Sequence, residues 1–215
     1  MVAGGTIAEV APYEAGAGAD VDLGDLALLP GLVDVHVHVN EPGHAEWEGF
    51  ATATAAAAAG GITTICDMPL NSDPVTTTVD ALRAKIDAAR GRCAVDVAFW
   101  GGAVPGNVGG NAGGLKSLAG AGAIGFKCFL SPTSTPDFPP LDRAGLRSAM
   151  AGVAGIGVPL IVHAEDPGEL RKPRDGSYDA FVASRPPVAE RRGIEAVVSA
   201  AAATGARAHV AHLAA

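Results

Sequence analysis

The chain has 215 residues, 48% of them hydrophobic but only 5% aromatic, with a formal net charge of −8. That length allows one domain with a sizeable core or two small ones. The acidic balance argues against a nucleic-acid binder, which needs a basic face. Mean hydropathy is +0.27, yet no apolar run approaches the ~20 residues of a membrane span, so the apolar content belongs to a buried core. Cys66, Cys93 and Cys128 lie far apart with no CxxC, which reads as reduced thiols in a cytoplasmic protein. The first residues lack the basic-then-apolar order of a signal peptide.

Residues 2–10 predict a short hairpin turning at Gly4-Gly5, and residues 11–25 a polar, Gly-rich loop. Residues 32–39 form an apolar, β-branched strand interrupted by His36 and His38. Strand side chains alternate, so these two imidazoles share a face. A divalent metal would use such a pair; a strand end reaching solvent would also tolerate it. The Ala-rich segment 46–59 predicts a helix stopped by Gly60-Gly61. Then follow a strand at 62–68, a helix at 76–90, a strand at 95–100, a short helix at 115–120 and a strand at 124–130. A helix at 141–155, a strand at 158–165, a long polar loop, a helix at 186–204 and a strand at 206–213 complete the series. Such β-α alternation implies parallel strands with helices outside. An open doubly wound sheet and a closed barrel both fit the rhythm, but six strands in 215 residues are too few to close a barrel, which typically takes about 250.

The unusual polar residues sit at the carboxyl ends of these strands, where parallel α/β folds build their sites. They are His36 and His38; Asp67 and Asn71; Lys127; His163, Glu165 and Asp166; and His212. Of six histidines only His44 and His209 fall off this pattern. His209 is three residues before His212, so on a strand the two point to opposite faces; His212 is the one expected at the site, and His209 is expected to pack or to support the ligands from behind. Lys127 stands between Phe126 and Cys128, where an ammonium is costly. It either snorkels to water or has a lowered pKa and reacts with carbon dioxide to give a bidentate, anionic carbamate. Asp34 shares the histidine face, as a partner of the site or a structural carboxylate. Residues 109–117, GGNAGGLKS, lack the Lys directly after the second Gly that a phosphate loop needs, and read as a plain loop.

The stretches PGLVDVHVHVNEPG, GGITTICDMPLNSDP, GFKCFLSP with DFPP, VHAE, YDAFVASRPP and HVAHLAA together resemble the cyclic amidohydrolases, and among them the allantoinase group. The resemblance runs from Pro30 to the last residue. It implies an α/β fold: an incomplete (β/α)8 TIM-type barrel over residues 30–215, with residues 1–29 as the remnant of an accessory β-domain. It also implies two divalent metal ions, zinc being the expected one. His36 and His38 would hold one, His163 and His212 the other, and carbamylated Lys127 would bridge them. The family's last ligand, an aspartate on the eighth barrel strand, is absent from this sequence. The implied activity is opening of the cyclic amide of allantoin to allantoate, by a cytoplasmic homotetramer acting on a small cyclic ureide.

Dihydroorotases, in the same family, usually carry Arg where this chain has Asn40; a neutral amide suits an uncharged ureide better than a carboxylate. Dihydropyrimidinase or hydantoinase-type enzymes resemble the chain less at GFKCFLSP. Asn40, Asn71 and Ser131 are the expected substrate contacts. The loop YDAFVASRPP is the strongest single mark of the allantoinase group, the alternative being a surface loop that caps the following helix. The competing reading is an inactive, truncated or non-catalytic family member with two exposed sheet edges.

Overall fold

The computed structural model describes residues 2–12, 21, 23–109 and 113–215. They fall into two compact units, Met1–Pro30 and Gly31–Ala215. In the first, β1 (Val2–Ala3) and β2 (Thr6–Ile7) pair antiparallel, with Val2 opposite Ile7. Gly4 and Gly5 both take positive φ, +59° and +77°, as a two-residue hairpin turn requires.

The second unit is one parallel sheet wound in chain order: β3 (Leu32–Val37), β4 (Ile62–Asp67), β5 (Asp96–Gly102), β6 (Ala123–Phe129), β7 (Leu160–His163) and β8 (Ala208–Ala211). Each strand pairs with the next and the order never reverses. A doubly wound sheet has a reversal point, so this is a partial (β/α)8 barrel, its strands one to six. The helices are α1 (Phe50–Ala59), α2 (Val79–Ala89), α3 (Pro105–Val108), α4 (Gly113–Gly120), α5 (Arg143–Ile156), α6 (Tyr178–Ser184) and α7 (Pro187–Thr204). Among the described residues no helix is long and apolar enough to cross a membrane.

Strand alternation separates two apolar layers. One face of the sheet gives Ile65, Phe99, Phe126, Cys128, Leu160 and Val162 to a core shared with Leu82, Leu118, Leu146, Met150, Val153 and Val197 of the helices. The other gives Cys66, Trp100, Ile161 and Ala211 to a smaller cluster closed by Met68, Val75 and Phe138. Trp100 reaches past β4 and donates its indole N–H to the Val35 carbonyl at 3.0 Å, tying β5 to β3 on that face. Leu32, Val33 and Val35 of β3 are exposed, apolar side chains on an outer strand of the sheet.

Four elements differ from expectation. Helix α1 starts at Phe50 rather than 46, because Glu41, paired with Arg92, accepts the Phe50 N–H at 3.0 Å and so caps the helix there. Helix α3 is additional, with Pro105 in its first turn. Helix α4 starts two residues before the expected 115, at Gly113 within the stretch read as loop, while 110–112 lie outside the described residues. Most consequentially, most of YDAFVASRPP is not a loop: it contains α6, whose Ser177 hydroxyl accepts the Ala180 N–H at 3.2 Å. Its Phe181 and Val182 are exposed while Ala180 and Ser184 are buried, so it carries no apolar stripe to announce a helix.

Two glycines test the packing. A Cβ on Gly193 of α7 would lie 2.1 Å from the Ala164 carbonyl oxygen, a backbone group that cannot step aside, whereas one on Gly155 of α5 would meet nothing within 4 Å. Gly193→Ala should cost about 1–3 kcal/mol, and Gly155→Ala should be neutral or gain up to about 1 kcal/mol. Urea denaturation of both variants checks the pair; equal effects would refute this packing of α7.

Candidate metal centre

Four imidazoles gather beyond the carboxyl ends of the sheet. His36 stands in β3 and His38 just past its end, with ring centroids 5.5 Å apart. His163 is the last residue of β7. His212 follows β8 in a left-handed conformation, φ +59°, which turns its ring to 4.8 Å from His36 and 5.1 Å from His163. The rings also touch through nitrogen: His163 Nδ1 is 2.9 Å from His212 Nδ1, and His212 Nε2 is 3.3 Å from His36 Nε2. His209 does not behave as expected. Because β8 stops at Ala211, His212 is not bound to strand alternation. His209, beside Ile161 in the register, is exposed and still lies close enough to His36 to oppose its protonation.

Lys127 projects from β6 with 1% of its surface exposed. Among the described residues its Nζ has no hydrogen-bond partner; it lies over the face of Phe129, 5.1 Å from the centroid, and Phe129 stacks on His163 at 5.2 Å. Snorkelling is therefore ruled out. Burial pulls the Lys127 amine down to about 8. Burial, then the charges of His36 and Lys127, bring His38 down to about 4. Burial and the charges of Lys127, His163, His36 and His38 bring His212 to about 4. Burial and Lys127 also lower His36. Neutral imidazole is the form that donates a lone pair to a cation.

Among the described residues no three His, Cys, Asp or Glu side chains stand around a common point; the rings are bonded to one another instead. The donor set nonetheless fits a metal centre: imidazoles on three strand ends, those of His36, His38 and His212 hard to protonate, beside a buried amine with no hydrogen-bond partner among the described residues. A buried ammonium with three unbonded donors is costly.

The neighbours of these residues are specific. Asp34 turns to its own strand and accepts the His36 N–H at 3.0 Å. Asp67 accepts the Val39 N–H at 2.7 Å and pairs with Lys85 Nζ at 2.7 Å, all fully buried; burial raises its carboxyl to about 6 despite the pull of Lys85. Asn40 is buried, and its Oδ1 has no hydrogen-bond partner among the described residues. Asn71 is partly buried at φ +69°. Ser131 is buried, and its hydroxyl donates to Glu165 Oε2 at 3.3 Å. Glu165 lies 2.8 Å from His163 Nε2 and is paired with Arg185. Burial opposes ionisation of Glu165, but the hydrogen bonds from His163 and Arg185 prevail and hold it below the usual carboxylate range. Lys85 and Arg185 escaped the sequence reading. Lys85 had a signal, a lysine between Leu82 and Ile86 on the apolar side of its helix; Arg185, in what read as a surface loop, had none.

The lowered Lys127 pKa makes a signed prediction. The unfolded chain holds that proton more tightly than the folded one, so the buried ammonium lowers stability at pH 7 and the penalty fades as pH rises from about 8 toward the ordinary 10.5. In chelator-treated, carbonate-free buffer, Lys127→Met should therefore stabilise the protein more at pH 7 than at pH 10 in urea denaturation. An equal gain at both would show that Lys127 is solvated.

Comparison with known proteins places this arrangement. The amidohydrolase family pattern matches residues 27–213. An allantoinase of Streptomyces avermitilis is 54% identical over 99% of this chain and 48% of its own length. The allantoinase of Arabidopsis thaliana is 42% identical over 90% of the chain and 40% of its own. The L-hydantoinase (dihydropyrimidinase) of Arthrobacter aurescens matches in structure with a TM-score of 0.76 at 31% identity, covering 84% of this chain and 41% of that one. The chain thus spans about half the length of the curated relatives it matches. On the extent of the family match and on its fold, the chain belongs to the amidohydrolase family.

Proposed function

We propose that this chain carries the metal-binding side of a hydrolase that opens the hydantoin ring of allantoin to allantoate. One observation carries the proposal: four imidazoles and an unpartnered buried lysine meet at the carboxyl rim of a parallel sheet. His36 and His38 would hold one divalent cation and His163 and His212 a second, with zinc as the expected metal. When bound, such cations supply a water acidified to near neutral pH and polarisation of the scissile carbonyl.

The chain's own groups prepare the rest. The lowered pKa of Lys127 leaves a larger share of free amine; its nitrogen lone pair adds to carbon dioxide, a proton leaves, and the resulting carbamate carries the negative charge a bridge between cations needs. Asn40 presents a buried, unpartnered carbonyl oxygen, which suits a ureido N–H and would repel a carboxylate. That favours allantoin over dihydroorotate, in line with the names of the allantoinase relatives. Hydantoin opening, named for the structural neighbour, cleaves the same kind of ring bond. Asn71 stays in the proposal as a substrate contact. Ser131 takes that part only if its hydroxyl leaves Glu165. A homotetramer and a cytoplasmic setting belong to the same proposal, the latter supported by three free cysteines.

Equilibrium dialysis against zinc tests the metal. The parent chain should retain zinc, and His36→Ala should lose at least half of it; equal stoichiometry would refute the site. Offered both ring substrates after zinc and bicarbonate loading, the chain should bind or open allantoin in preference to dihydroorotate. The reverse preference would overturn the role of Asn40.

A further inference from the structure

A histidine ring has two nitrogens, and the one without the proton is the one that donates electrons. At His163 both are engaged, Nε2 by Glu165 Oε2 at 2.8 Å and Nδ1 by His212 Nδ1 at 2.9 Å. Glu165 is itself held from two further sides, by the Arg185 guanidinium and by the Ser131 hydroxyl at 3.3 Å. A carboxylate paired with a guanidinium is ionised and can only accept. The hydrogen it shares with His163 therefore sits on Nε2, and in the neutral ring His163 Nδ1 carries the lone pair. The contact between the two Nδ1 atoms then needs a donor, which is His212. His212 is left with its lone pair on Nε2, the atom 3.3 Å from His36 Nε2.

We propose that Glu165, clamped by Arg185 and Ser131, is a positioning residue that sets the tautomers of two histidines, leaving His163 Nδ1 and His212 Nε2 as the electron-donating atoms of the site. Arg185 caps the carboxyl end of α6, and its guanidinium lies over Phe181 of the same helix, 5.6 Å from the ring centroid. Helix α6 is thereby coupled to the rim through one ion pair. Gly193 of α7 backs the same spot, its missing Cβ leaving room for the Glu165 main chain. The YDAFVASRPP stretch thus has a task that its surface position conceals: it supplies the cation that keeps Glu165 ionised and aimed. The consequence for metal affinity rests on the proposed function; the tautomers do not.

The test is a long-range proton–nitrogen correlation spectrum of the metal-free, nitrogen-15-labelled chain at pH 8, followed by zinc titration of the same samples. His163 should appear as the Nε2–H form and His212 as the Nδ1–H form. In Glu165→Leu the preference at His163 should vanish and zinc affinity should fall about 10–100-fold. Glu165→Gln keeps an acceptor oxygen and should restore the Nε2–H form and most of the affinity, a rescue that loss of folding would not allow. Arg185→Met should weaken the preference without abolishing it. An Nδ1–H form at His163 in the parent, or Glu165→Leu with unchanged tautomers, would overturn the proposal. The stated tautomers in a parent that binds no zinc would support it and overturn the metal reading instead.

Discussion

Asp67 ends β4 with its carboxylate fully buried, and three pieces of the molecule meet on it. One oxygen accepts the N–H of Val39, the residue after His38, at 2.7 Å; the other pairs with Lys85 of α2 at 2.7 Å. Lys85 Nζ also donates to the Met68 carbonyl at 2.9 Å. Burying two ions costs several kcal/mol each, and the pair offsets that only while every partner stays in place. Removing one partner of such a pair costs about 3–5 kcal/mol, because the other ion is left alone. The end of β3, where the first two histidines stand, is thus fixed to β4 and to α2 through one carboxylate.

The site follows from that rigidity and from the winding of the sheet. Strands that pair strictly in chain order bring residues far apart in sequence to one rim: His36 and His212 are 176 positions apart and touch through nitrogen. Burying several basic groups at one rim then does the electrostatic work. Burial comes first, and neighbouring charges add to it at His36, His38 and His212, so these three rings resist protonation; at Lys127 burial alone loosens the grip on the proton. The same burial that lowers stability at the rim creates the donors. Around it, carboxylates orient the donors: Asp34 on the backbone of His36, Glu165 on the ring of His163.

Much of this was legible in the sequence because it is local. Apolar runs of strand length alternating with helical segments announced the six-stranded partial barrel, and histidines at the ends of those runs announced the rim. What escaped detection was set by tertiary contacts. Helix α1 starts late because Glu41 caps it, and Arg92, 51 residues away, holds Glu41. Helix α6 hid because a short helix with exposed Phe181 and Val182 has no amphipathic stripe. The opposed faces expected of His209 and His212 required a strand running through both; β8 ends before His212, and a left-handed residue then aims the ring. Lys85 escaped because its partner, Asp67, lies on a strand 18 residues earlier in the chain.

The central claim is that imidazole nitrogens from separate strand ends bind metal together. X-ray absorption at the zinc edge of the zinc-loaded chain tests it most directly. The account predicts a nitrogen and oxygen shell at about 2.0–2.1 Å with the outer-shell scattering of several imidazoles, diminished in His36→Ala and in His163→Ala alike. A shell without imidazole scattering, or one dominated by sulfur at about 2.3 Å, would contradict it.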